Sequence, residues 1–269
     1  EYSFFLAGDL NDTFNLIQIK NYLSDPVIVS IYEDCNKVFP DLTWLEGKFT
    51  KAFGYYRHYL PGKKLPEVFT YVSGLDYEYP IKYADSILII ALDMYLGADY
   101  KNYKMLGQPL YRQARFRRDF IVIDCMKEMA LPLISDTLKN KKFINYIVNE
   151  GKILYFLDAT LPDTPDSLKI AYTPSQMKWC TDNEENVWSF IIDKKLLYSS
   201  EPTMISKLCD DGPFTAVFSK QSPPRVGAWT GWQIVRNYME NNPKVTLIEL
   251  LSNQDAQGIL TKSKYKPKK

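Results

Sequence analysis

Apolar residues recur every three or four positions through the first sixty residues, the period of a helix face. Behind Asn11-Asp12-Thr13 stand Phe14, Ile17, Ile19 and Leu23, and behind Asp25-Pro26 stand Val27, Val29, Ile31, Tyr32 and Val38. Behind Asp41 stand Leu42, Leu45, Phe49, Phe53, Tyr56 and Tyr59-Leu60, and Pro61-Gly62 stops the run. Each run opens on a carboxylate suited to the unpaired first amides of a helix. The period then changes. Val68–Val72 is rich in β-formers, and the unbroken run Ser86–Met94 (SILIIALDM), ended by Gly97, predicts a buried strand. From Arg112 the helical period returns. It predicts helices over 114–130, 131–139, 141–157, 174–198, 202–209 and 226–241, with a short capped one from Thr246 to Leu251. These elements make one α+β domain over 1–269, predominantly helical with a small β-sheet. It has a helical amino-terminal part over 1–62, a core over 65–255 and a tail over 261–269.

Composition narrows the function classes. A chain of 269 residues can bury a sizeable core, and a net charge of +1 gives no drive toward nucleic acid. Twenty tyrosines suit either a core with a tyrosine-rich surface or a glycan-binding face built from Tyr and Trp. Cys35, Cys125, Cys180 and Cys209 form no CxxC pair, so free, mostly buried thiols are expected, with any disulfide pairing left open. The longest apolar run, Ile87–Leu92, is far too short to span a bilayer. The sequence begins at Glu1 rather than Met, as after removal of a leader or a cut in the chain, and any membrane attachment is expected upstream of it. The tail carries Lys262, Lys264, Lys266, Lys268 and Lys269. It is expected to be disordered, either solvated or touching anionic lipid at about 1 kcal/mol per basic residue.

The chemistry concentrates between residues 119 and 156. Asp124-Cys125-Met126-Lys127-Glu128, followed by Glu150-Gly151, resembles the two active-site helices of a zincin-type zinc peptidase. Such enzymes place two histidines one turn apart as HExxH, with the intervening Glu as general base and a later Glu as third ligand. The only histidine here is His58, far upstream, so a two-histidine zinc site is impossible. Asp124 and Glu128 share a helix face, where like charges cost about 0.2–0.5 kcal/mol. Lys127 is the nearest partner, and Arg112, Arg115, Arg117 and Arg118 precede the pair. Three carboxylates (Asp124, Glu128 and Glu150) suit Ca²⁺ or Mg²⁺ better than zinc, and define the alternative of a cation-dependent hydrolase. The other reading is a salt-bridged remnant. Cys125 stands where the general base belongs, but a nucleophilic thiol needs a base of its own.

A second block, residues 209–251, predicts a helix from Val226 to Glu240 after Pro223-Pro224, ended by Asn241-Asn242-Pro243. Gly227 and Gly231 lie one turn apart and invite a neighbouring backbone, while Trp229, Trp232, Ile234, Val235 and Tyr238 supply bulk. A packed core helix is the simpler expectation. The alternative has Arg225, Trp229 and Trp232 lining a cleft.

In order along the chain, Leu92-Asp93-Met94-Tyr95-Leu96-Gly97 with Asp99-Tyr100, Pro109-Leu110-Tyr111, Asp124 with Met126-Lys127, Asn183-Glu184 with Trp188, Asp211-Gly212-Pro213 and Gly227 to Tyr238 resemble the gliding-motility lipoprotein GldB family. That family is in turn similar to HExxH zinc-dependent peptidase-like proteins. By that resemblance Asp124 and Glu128 fall on the two histidine positions, Cys125 on the general base and Glu150 on the third ligand. The resemblance implies a zincin-like scaffold without its zinc ligands: a pseudopeptidase with no catalytic residues and no cofactor. It also implies a bacterial envelope lipoprotein, at the outer membrane or facing the periplasm. Its expected partners are proteins of the motility or secretion machinery, and the membrane through a lipid anchor.

Overall fold

A computed structural model describes residues 11–84, 86–134 and 142–267. In chain order the elements are α1 (Thr13–Ser24), α2 (Pro26–Val38), α3 (Thr43–Tyr59), β1 (Glu67–Tyr71), β2 (Ile81–Ala84), β3 (Ile87–Ala91), α4 (Leu110–Gln113) and α5 (Ile121–Ala130). There follow α6 (Phe143–Thr160), α7 (Asp166–Ile170), α8 (Pro174–Asp182), α9 (Glu184–Asp193), α10 (Pro202–Cys209), α11 (Val226–Asn241), α12 (Leu247–Ser252) and α13 (Ala256–Ser263). The fold is α+β, predominantly helical, with one three-stranded sheet in the order β1-β3-β2. The chain divides into two compact units, Glu1–Glu46 with Pro66–Ile121, and Gly47–Leu65 with Val122–Lys269.

In the first unit the capping reading holds. Asp12 accepts from the Phe14 amide at 2.9 Å, and Asp25 accepts from the Val27 amide at 2.7 Å ahead of Pro26. The apolar faces behave differently from expectation. Helix α1 buries none of its residues, and α2 buries only Ile31 and Cys35. The sheet is built around β3, parallel to β1 (Val68 beside Leu88) and antiparallel to β2 (Tyr83 beside Leu88). Leu88 to Ala91 are fully buried, as the unbroken apolar run predicts.

Just past β3, Leu92–Met94 tighten into a 3-10 turn that buries Asp93 completely. Its carboxylate accepts from the Ser73 amide (2.9 Å), the Ser73 hydroxyl (2.9 Å) and the Leu75 amide (2.6 Å). These bonds hold Gly74 and Leu75 in the left-handed region, at φ 76° and 68°. The Tyr103 hydroxyl donates to the Asp93 carbonyl at 2.6 Å. Burial pushes the Asp93 carboxyl up, while the amides of Ser73 and Leu75 pull it down.

Several expected helices are corrected. The helix placed over 114–130 starts at Ile121, because Arg117 is extended (φ −146°) and bridges Leu96, behind a 3-10 turn at Arg118–Phe120. The helix over 174–198 is two, broken at Asn183, where φ reaches −118° and the side chain bonds the Trp179 carbonyl. Of the segment 131–139, Leu131–Leu133 form a 3-10 turn around Pro132, and residues 135–139 lie outside the described residues. Strand β2 and helices α7 and α13 were not anticipated. The tail is packed where disorder was expected. Helix α13 runs to Ser263, and buried Tyr265 donates to Glu184 at 2.9 Å and meets Trp188 edge-on at 5.1 Å. Lys268 and Lys269 lie outside the described residues. All four cysteines are free, with Cys35, Cys125 and Cys180 buried.

The second unit is organised by α6 against α11. A Cβ on Gly231 would stand 1.7 Å from the Ile147 carbonyl oxygen, and one on Gly151 would stand 2.3 Å from the Gly231 carbonyl. The helices therefore meet backbone to backbone, and no side chain fits between them. Ile147, Val148, Leu154 and Ile234, Val235, Tyr238 close over the crossing as buried apolar walls. Gly231→Ala is expected to lower unfolding free energy by about 3 kcal/mol or more through overpacking. Urea unfolding measures it, and an unchanged midpoint would refute the tight crossing.

Candidate functional site

The sequence-predicted residues fall on two helices. Helix α5 carries Asp124 and Glu128, both half-buried, on one face, with Cys125, Met126 and Met129 fully buried. Burial, then the charges of Asp124 and Glu128, pushes the Cys125 thiol well above its ordinary value. A thiol in that setting stays protonated and is not a nucleophile. Burial, then Asp124, raises the Glu128 carboxyl, and Lys127 offsets part of this.

Helix α6 carries Glu150, and the structure commits that carboxylate elsewhere. Arg225 donates to it through Nη2 at 2.6 Å, with the guanidinium side chain only 15% exposed. Arg225 reaches it from the residue before α11, held at φ 53°, while the Tyr172 hydroxyl donates to the adjacent Pro224 carbonyl at 2.5 Å. Burial opposes the Arg225 charge, yet Glu150, Tyr172 and Asp211 hold it above its ordinary value. Glu128 thus feels the charges of Asp124 and Lys127, and Glu150 is paired with Arg225. Among the described residues, no group of three or more His, Cys, Asp or Glu side chains is arranged to hold a metal ion. Trp229 and Trp232 are buried, so they form core rather than the wall of an open cleft. Three of the preceding arginines lean on aromatic rings, Arg115 and Arg117 over Phe120 and Arg118 over Trp44, and Arg112 donates to Gln108.

Sequence reasoning missed a polar cluster around Asp158. Asp158, near the end of α6, accepts from Arg236 Nε (2.7 Å) and Nη2 (2.8 Å), Lys169 Nζ (2.8 Å) and Trp232 Nε1 (2.9 Å). Arg236 also donates to Asp166 at 2.8 Å and lies 3.8 Å over the Trp232 ring. The visible signals were Trp232 and Arg236 one turn apart, and Asp166 three residues before Lys169. Nothing local tied either pair to Asp158.

The family model described as "Gliding motility protein GldB" matches residues 1–267. No curated protein and no solved structure matches the chain.

Two outcomes test the charge assignments. Glu150→Gln leaves a mostly buried guanidinium with a weaker acceptor, and is expected to cost about 2 kcal/mol in urea unfolding. Adding Arg225→Met should recover most of that loss. Because Glu128 is raised, the folded chain holds its proton more tightly than the unfolded chain. Its contribution is therefore fully present below the ordinary glutamate value and is lost as pH rises through the folded value. Glu128→Gln should flatten this dependence and stabilise the chain at neutral pH, with the helical repulsion it relieves being about 0.2–0.5 kcal/mol. Thermal unfolding across pH 4 to 8 reads the effect, and an unchanged profile would contradict the assignment.

Proposed function

The chain belongs to the gliding motility protein GldB family, and from that premise we propose that it acts by holding other proteins rather than by catalysis. Its family marks it as a gliding-motility-related, lipid-anchored protein of the cell envelope. Among the described residues no helix is long and apolar enough to cross a membrane. The scaffold is read as zincin-like and dismantled, and its partners as envelope proteins of the motility or secretion machinery.

One observation carries this reading: the ion pair of Glu150 with Arg225 at 2.6 Å. A third-ligand carboxylate needs its lone pairs free for a cation, and here a guanidinium takes that place with a fixed charge. The buried, protonated Cys125 supports the same conclusion, since the position that would carry a general base holds a group with no basicity near neutral pH.

The test is complementation. In cells lacking their own copy, chains with Asp124→Asn, Glu128→Gln or both are expected to restore surface motility to the level of the unaltered chain. Calorimetric titration of the purified chain with calcium, magnesium and zinc should give no stoichiometric binding. Loss of motility by a folded Asp124→Asn chain, together with a bound cation that the substitution removes, would overturn the proposal and establish the cation-dependent hydrolase instead.

A further inference from the structure

Within the second unit an open cavity of about 730 Å³ lies between the end of α3, the last turns of α6 and the segment leading from α11 into α12. It shares no residue with the Asp124, Glu128 and Glu150 positions. Its wall includes His58, the only histidine of the chain, with Tyr59, Tyr155, Asp158, Ala159 and Ile248. We propose that this cavity is a docking groove for an extended, uncharged, proline-rich polypeptide segment.

Charge decides the class of ligand. Asp158 is the cavity's only carboxylate, and Arg236, Lys169 and Trp232 already occupy it with four hydrogen bonds. The pairing of Asp158 and Asp166 with Arg236 and Lys169 is neutral, so the wall offers no net charge to a charged ligand. Lys169, 4% exposed, is no free cation either. The remaining chemistry is two phenols, an imidazole and the Thr246 hydroxyl, which is bonded to Glu249, set among Met239, aliphatic side chains and two prolines, Pro61 and Pro243.

Aromatic rings with hydrogen-bonding tips suit a polyproline helix. Its ring faces pack between aromatic side chains, and its backbone carbonyls have no internal partners. Tyr59 and Ile248, each 39% exposed, stand at the rim within reach of such a segment. Burial, then Asp158, raises the Tyr155 phenol, so it remains a proton donor for a carbonyl. His58 lies edge-on to Tyr59 at 4.8 Å between ring centres, which extends the aromatic surface. A glycan fits less well, because sugar hydroxyls need several free polar groups and the carboxylate present is saturated. The volume accommodates a short segment, being within the ordinary range of about 300–1,000 Å³ for ligand cavities.

This inference rests on the binding-protein reading and gives it a location. The probe is a fluorescein-labelled nine-residue peptide of Pro-Pro-Leu repeats, titrated into the purified chain by anisotropy. Saturable binding is expected. It should weaken at least tenfold when lysine or glutamate replaces the central leucine, and at least tenfold in Ala159→Trp, which fills the groove. Ile248→Arg, which charges the rim without touching the core, should weaken it as well, and thermal unfolding verifies that both variants fold. Absence of peptide binding, equal binding by both variants, or saturable binding of cellohexaose in its place would overturn the inference. None of these results bears on whether Asp124 and Glu128 are dispensable for motility, so the site can fail while the binding-protein reading stands.

Discussion

Everything in the larger unit is arranged around the place where α6 and α11 touch without side chains between them. Two glycines make that possible: Gly151 on one helix and Gly231 on the other, each facing the partner's backbone too closely for a methyl group. Once the two axes are fixed, the residues at set turns along them are fixed too. Glu150 precedes Gly151 and is brought to Arg225 at the start of α11. Two turns further along α6, Asp158 is brought to Trp232 and Arg236 on the same helix. Both of these ion pairs are consequences of one close crossing. That explains why the Glu-Gly pair that resembles a ligand motif serves here as a packing motif.

The polar interior follows one pattern in both units: Asp93, Asp158 and Glu150 each meet hydrogen-bond donors inside the fold. Asp93 relies on amides and a serine hydroxyl instead of a cation, and in exchange fixes a turn that contains a left-handed leucine. Asp158 relies on two cations and an indole. Glu150 relies on a single guanidinium. Leaving such groups unpaired costs several times what a surface ion pair returns. These carboxylates therefore specify geometry more than they add stability.

Much of the local structure was legible in the sequence. Asp12 and Asp25 announced their helices, and SILIIALDM announced the central strand, because caps and continuous burial are local signals. The glycines of α11 correctly indicated a close approach. What stayed hidden depends on distant partners. No period reveals that Arg117 pairs with Leu96 and so delays α5, or that Tyr265 reaches Glu184 and is buried between exposed lysines. The exposed faces of α1 and α2 show the reverse case, where a helical apolar period is present but its burial is not. At the candidate site, the acidic pair on α5 was readable from spacing alone, whereas the diversion of Glu150 to Arg225 crosses 75 residues.

The cysteines carry a consequence for life in an oxidising envelope. Exchange with disulfides proceeds through the thiolate. Burial, aided by nearby acids, pushes Cys35 and Cys209 up to about 12, and raises Cys125 and Cys180 as well. Raised in this way, the four thiols carry little thiolate at neutral pH, so the folded chain exchanges slowly with disulfides. The vulnerable interval is the one before folding, when the thiols are exposed at their ordinary acidity. Burial of Cys125 and Cys180 in the folded chain keeps both thiols away from solvent-borne disulfides.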